Sequence, residues 1–229
     1  MQKGGKLCAT IAASDVKTLV GEARRALADG VDLVELRLDY LHGAAEEEMV
    51  KEISAISESC IVTVRSRAEG GRFRGGERER LQRLLAVSKV GPHYIDVELA
   101  TAEKDHRLAH ELARNSGGLI VSWHGMEGTP ARRELANLRD RAMKVGDIAK
   151  VVATARRLED NGRIISLYNG KKAKGRLIAF CTGEKGMISR VVSMMAGSPI
   201  SYVTVAPNPV AAGQLPFRLV KELLGPIVR

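Results

Sequence analysis

Aromatic side chains are scarce in this 229-residue chain, at 3% of its residues. That scarcity argues against a module that binds nucleic acid by stacking bases on rings. Cysteine is scarce too. Cys8, Cys60 and Cys181 are odd in number, and each sits in or beside an apolar run. Reduced, buried thiols in a cytoplasmic protein are the expectation. No apolar stretch reaches membrane-spanning length. The opening segment MQKGGKLCATIA lacks the long apolar region of a secretory signal. Neither a low-complexity segment nor an inter-domain linker breaks the chain, so residues 1–229 are expected to form one catalytic domain.

Positive charge, by contrast, is abundant: the formal net charge is +9. Such a balance fits a nucleic acid, an anionic membrane or a small anionic substrate. The Lys and Arg residues are mostly scattered among carboxylates, which favours a small-molecule partner over nucleic acid or membrane. The densest basic stretch, residues 65–83, keeps a nucleic-acid-binding protein as a rival reading. Apolar residues make up 45% of the chain, enough for a sizeable core.

Short apolar runs alternate with longer helix-periodic segments. The runs cover residues 7–12, 33–37, 60–65, 94–98, 118–124, 148–153, 176–181 and 202–206. Amphipathic stretches at 16–28, 44–56, 78–87, 102–114, 132–145, 155–167, 187–195 and 214–224 lie between and after them. Strand followed by helix is the pattern of a parallel sheet. Eight such units predict an α/β fold, a single (β/α)8 TIM barrel, with a doubly wound open sheet as the structural alternative. Gly30 is placed to cap the first helix at its C-terminus. Thr129 and Pro130 read as a cap and first-turn proline.

Side chains alternate across a strand. Val34, Leu36 and Leu38 share one face, and Glu35, Arg37 and Asp39 the other. Helices cover the outside of a barrel, so the charged set is expected inside, near the C-terminal mouth. The same parity sets Thr63 and Arg65, Asp96 and Glu98, and Ser122 and His124 inward. Lys150 interrupts the apolar sixth strand. Buried charge is costly unless paired, so charge on five consecutive strands points to an active site at the mouth.

Lys150 is the candidate nucleophile: an amine that loses its proton in a semi-buried, cationic setting can attack a ketone and form an imine. Arg37, Arg65 and Arg190 are expected to supply that setting. His124, on the neighbouring strand, is the candidate general acid and base. His106 and His110 have metal-ligand spacing, but the segment HRLAH lacks the glutamate of a zinc-protease motif and reads as an exposed helix face. Gly183-Glu184-Lys185-Gly186 lacks P-loop spacing, yet is placed to shape an anion site at a helix start. Arg190 suits a bidentate grip on a carboxylate. Gln214 either bonds a substrate hydroxyl or caps the last helix. Residues 69–76, rich in glycine and arginine, read as a mobile lid.

Seven ordered motifs carry a family resemblance. They are VELRLDY (Glu35, Arg37, Asp39), TVRSRAEGG (Arg65, Glu69), IDVEL (Asp96, Glu98), SWHGMEGTP (His124), DIAKVVATA (Lys150), GMISR (Arg190) and AGQLP (Gln214). Together they resemble type I 3-dehydroquinate dehydratase over nearly the whole chain. The resemblance implies a lyase (hydro-lyase, EC 4.2.1.10) of the shikimate pathway of aromatic amino-acid biosynthesis. It acts on 3-dehydroquinate and gives 3-dehydroshikimate. It further implies that Lys150 forms a Schiff base with the C3 ketone and that His124 moves the C2 proton. Arg190 would hold the carboxylate, while Glu35, Arg37, Arg65, Glu69 and Gln214 would complete the substrate site. No metal or organic cofactor is implied, and a homodimer is. Val210 stands where the family often has serine, Gly125-Met126 where it often has Asp-Phe, and Thr182 where methionine is common. The nearest rival function is a class I aldolase-type Schiff-base lyase on a sugar phosphate.

Overall fold

A computed structural model describes residues 5–170, 173–205 and 209–224. Its parallel strands are β1 (Lys6–Ile11), β2 (Leu33–Arg37), β3 (Cys60–Thr63), β4 (Tyr94–Glu98), β5 (Leu119–Gly125), β6 (Ile148–Thr154), β7 (Leu177–Thr182) and β8 (Ile200–Thr204). A two-residue β9 (Leu215–Pro216) follows. The helices are α1 (Val16–Ala28), α2 (Glu46–Ser54), α3 (Glu77–Ser88), α4 (Leu99–Lys104), α5 (His106–Arg114), α6 (Arg132–Val145), α7 (Asp160–Ile165), α8 (Met187–Met195) and α9 (Phe217–Leu224).

The strands pair in the order β7-β6-β5-β4-β3-β2-β1-β8-β9. This is the eightfold α/β barrel expected from the alternating runs, with one correction to its closure. Among the described residues no ladder joins β7 to β8; β8 instead pairs with β9, Val203 opposite Leu215. The free edge of β8 spends its backbone hydrogen bonds there, and the wall stays unpaired at that seam.

Local chemistry accounts for the element ends. The Asp15 carboxylate accepts the N–H of Thr18 and caps α1, and Gly30, at φ 98°, turns the chain out of it. The expected helix over 102–114 is two helices, because Asp105 caps α5 by accepting the N–H of Leu108. The expected helix over 155–167 shortens to α7 and a following 3₁₀ turn. Asp160 there accepts the N–H groups of Arg156 and Arg157. Thr129 is not a helix cap. It donates to the Thr154 carbonyl, and Ala131 occupies the cap position of α6. Residue 206 of the expected eighth strand lies outside the described residues.

Parity sorts the side chains as the sequence predicts. Val34, Leu36, Leu38, Val62, Val97 and Val151 face the helices in the outer core. Inside, Cys8, Leu33, Ile61, Ile120, Ile148, Ile178 and Ile200 form an apolar layer. Each fully buried aliphatic side chain contributes roughly 1.5–3 kcal/mol. Two residues further along, toward the C-terminal ends, the inward positions are Thr10, Glu35, Thr63, Asp96, Ser122 and Lys150, all buried. A dry floor therefore carries a charged layer directly above it.

Candidate active site

The charged layer opens into a cavity of about 250 Å³. Glu35, Arg37, Arg65, Glu69, His124, Lys150, Arg190 and Gln214 all line it, so the structure brings together the eight residues that the family resemblance implies for the site.

Lys150 is 4% exposed. Its Nζ donates to Oδ2 of Asp96 at 2.9 Å and to Oε1 of Glu35 at 3.2 Å. This corrects the expected cationic setting: the groups bonded to the amine are carboxylates. Glu35 is held in turn by the hydroxyls of Thr10 and Thr63. Gln214 extends this chain by donating from Nε2 to Thr10 at 2.7 Å, rather than capping α9. Asp96 also accepts Arg65 Nη2 at 2.7 Å and the Ser122 hydroxyl at 2.6 Å. Burial raises the Asp96 pKa, but Arg65, then Lys150, outweigh it and hold the carboxyl well below its ordinary range.

Arg65 is the hub of this network. Its guanidinium reaches Asp96, Glu98 and Ser122. Glu98 accepts the Ser66 N–H and, from below, Nη1 of Arg80 at 2.7 Å. Arg80 is buried on α3 and also binds the Val64 carbonyl. Arg65 and Arg80 are thus tied up internally. Arg83 lies over the Phe73 ring and donates to the Leu38 carbonyl. Of the seven arginines in residues 65–83, Arg65 and Arg80 are buried and Arg83 is half-buried, while Arg67, Arg72, Arg74 and Arg78 remain exposed.

His124 follows Ser122 on β5 and pairs in register with Val152, two residues beyond Lys150 on β6. Its Nδ1 lies 2.9 Å from Glu69 Oε2, which also accepts the His124 backbone N–H. In the tautomer that carries its proton on Nδ1, toward Glu69 Oε2, the Nε2 atom is free to accept one. Burial, then Arg65 and Lys150, push the imidazole pKa well below 6.5, so the ring is a neutral base. Burial pushes the Glu69 carboxyl up to about 8, with Arg65 pulling back and Glu98 and Asp96 pushing further. Glu69 is therefore engaged with His124 and orients it.

Arg37 makes a bidentate pair with Asp39, both bonds at 2.8 Å. Asp39 also accepts the N–H groups of Arg65 and Arg72. Together with the buried Phe73, these bonds hold the 69–76 segment, the expected mobile lid, against the barrel. Gly70, at φ 82°, has Met126 against it; a Cβ there would meet the thioether at 2.9 Å.

Arg190 differs from the other pocket cations. It is 3% exposed, and its pKa is lowered to about 10 because burial outweighs the distant opposite charges. Its Nη2 donates to the Ala212 carbonyl at 3.4 Å, and among the described residues its Nε has no partner. A buried guanidinium left without a carboxylate is a ready anion site. Lys185, expected to help such a site, is exposed and donates to the Arg156 carbonyl instead. His106 and His110 lie exposed on α5, as expected.

Several lining residues were missing from the sequence reading: Thr10, Phe180 and Tyr202. Period-two parity on β7 and β8 sets Phe180 and Tyr202 inward and was the signal available. Val210, Gly125, Met126 and Thr182, the positions that depart from the family pattern, all line the cavity.

A parallel α/β barrel whose C-terminal mouth gathers a buried amine, a neutral imidazole and an unpaired guanidinium defines an enzyme. A family model, type I 3-dehydroquinase, matches residues 7–227. A 3-dehydroquinate dehydratase of Methanopyrus kandleri is 34% identical over 220 residues, 95% of this chain and 98% of the relative. Another, from Methanococcus maripaludis, is 32% identical over 95% of this chain and 98% of its own length. The crystal structure of the 3-dehydroquinate dehydratase of Geobacillus kaustophilus superposes with a TM-score of 0.87 at 25% identity, covering 98% and 93% of the two chains. The chain belongs to the type I 3-dehydroquinase family, and it is a lyase.

Proposed function

We propose that this protein dehydrates 3-dehydroquinate to 3-dehydroshikimate through an imine on Lys150. The observation that carries the reading is the convergence of Lys150, His124 and the unpaired Arg190 on one cavity. As the Lys150 ammonium condenses with the C3 ketone, two of its three protons leave with the carbonyl oxygen as water, and a protonated imine remains. His124 Nε2 takes the C2 proton, and the C–H electron pair moves onto the imine nitrogen to give an enamine. The enamine pair then expels the C1 hydroxyl, which takes the proton back from His124 and departs as water. A final water hydrolyses the conjugated imine, frees Lys150 and restores the ketone. The net change is loss of one water.

Arg190 takes the substrate carboxylate in this scheme, and Glu35, Arg37, Arg65 and Gln214 complete the walls that meet its hydroxyls. Val210 offers no hydroxyl at the position where the family often has serine. A sugar-phosphate lyase would want a phosphate site in the loops after β7 and β8, and Lys185 faces away from the cavity. One catalytic domain in a reducing, cytoplasmic setting fits three free buried thiols. A homodimer fits the exposed Ile188, Met195, Leu219 and Leu223 on α8 and α9. Following the ultraviolet absorbance of the conjugated product after adding 3-dehydroquinate tests the reading. Absorbance rising with enzyme concentration supports it; a flat trace at high enzyme concentration overturns it.

A further inference from the structure

The composition holds eight aromatic rings, one Trp, four Tyr and three Phe. Two of them, Phe180 on β7 and Tyr202 on β8, meet inside the barrel with centroids 6.3 Å apart. Each lies against a buried cation. The Arg190 guanidinium is 4.2 Å from the Phe180 centroid, and Lys150 Nζ is 4.2 Å from the Tyr202 centroid. The Tyr202 hydroxyl is buried and, among the described residues, has no hydrogen-bond partner. What this tyrosine presents to the reacting nitrogen is therefore its ring face.

We propose that the Tyr202 ring is a catalytic surface that stabilises positive charge on the Lys150 nitrogen, as ammonium before reaction and as protonated imine during it. This rests on the imine reading given above. An aromatic face attracts a cation most strongly where water is excluded, and Tyr202 is 5% exposed. A neutral amine or neutral imine gains nothing comparable from the ring. The ring therefore favours the two steps that create charge on nitrogen: loss of water from the amine–ketone adduct, and expulsion of the C1 hydroxyl by the enamine. It also keeps the imine protonated, which the electron sink requires. The charged and titratable groups around the nitrogen are Glu35 on β2, Arg65 after β3, Asp96 on β4, His124 on β5, Arg190 on α8 and Cys8 on β1. The carboxylates act in the same direction as the ring, and the arginines oppose it.

Replacing Tyr202 by phenylalanine and then by increasingly fluorinated phenylalanines drains the ring face of negative potential at nearly constant shape. The alkaline limb of the kcat profile, where the imine loses its proton, is expected to move to lower pH with each fluorine. The total shift is about one pH unit. In parallel, the amount of imine trapped by borohydride at alkaline pH with 3-dehydroquinate falls. Tyr202→Phe itself keeps the ring and is expected to keep the limb close to that of the parent enzyme. A limb that stays put across the series overturns the proposal. So does loss of activity in Tyr202→Phe, which would transfer the role to the hydroxyl. If the parent enzyme yields no borohydride adduct at all, the imine reading itself fails, a result distinct from either of these.

Discussion

Lys150 on β6 reaches across the barrel interior to Asp96 on β4, with Nζ to Oδ2 at 2.9 Å. The same carboxylate takes Arg65, so one buried anion serves two buried cations. Removing one member of such a buried set strands the others. Asp96→Asn is expected to destabilise the fold by about 3–5 kcal/mol and lower Tm by about 10 °C at neutral pH. The Asp96 pKa is depressed below its ordinary 3.8, so its contribution is present above that pH and lost as pH falls through the folded value. Thermal melts of both proteins at pH 7 and in acid should show the gap narrowing under acid. Equal melting at neutral pH would contradict the network.

Arg190 presents the opposite balance, a buried cation with no carboxylate bonded to it among the described residues. Arg190→Met removes a desolvated charge and is expected to raise Tm of the free enzyme. A charge-assisted pair with the substrate carboxylate is lost at the same time, and KM should rise about 10- to 100-fold. Melting curves and steady-state kinetics of the variant check both halves. A lower Tm together with an unchanged KM would remove Arg190 from the substrate site.

Glu69 carries a raised pKa, about 8, set mainly by burial. A carboxyl whose folded pKa exceeds its unfolded 4.5 favours folding below pH 4.5, and this advantage is lost as pH rises through about 8. Glu69→Gln removes the group that must ionise. Relative to the parent, its Tm is expected to be higher at pH 9 than at pH 5, as differential scanning calorimetry at the two pH values would show. A pH-independent difference would mean that the carboxyl ionises as freely in the fold as out of it.

His124 is expected to act on the imine after it forms. His124→Ala should still capture substrate on Lys150 but turn over about 10²–10⁴-fold more slowly. The depressed imidazole pKa also places the acid limb of the parent's kcat/KM profile below pH 6.5. Unchanged turnover in the variant would leave His124 without a role in proton transfer.

Much of this was legible in the sequence for a physical reason. Period-two alternation decides which side of a strand a residue faces, so Glu35, Asp96, Ser122, His124 and Lys150 are set inward by parity alone. Which of them touch is another matter. The Lys150 contacts span 54 and 115 residues of chain, and the stagger of the strands that creates them leaves no mark on local pattern. Hence the amine was expected among arginines and lies among carboxylates. The open seam was invisible too, because β9 is only two residues, Leu215 and Pro216. Asp105, by contrast, marks the start of α5 within the 102–114 segment, whereas Asp160 lies in the first turn of α7 and binds the N–H groups that precede it.

The proposed chemistry requires that Lys150 become covalently joined to the substrate. Borohydride added to enzyme with 3-dehydroquinate should reduce the imine to a stable secondary amine. Peptide mass mapping should then place the substrate-derived mass on Lys150 in the parent enzyme and on no residue in Lys150→Ala, which should be inactive. An enzyme that turns over but acquires no mass on Lys150, with activity retained in Lys150→Ala, would contradict the account.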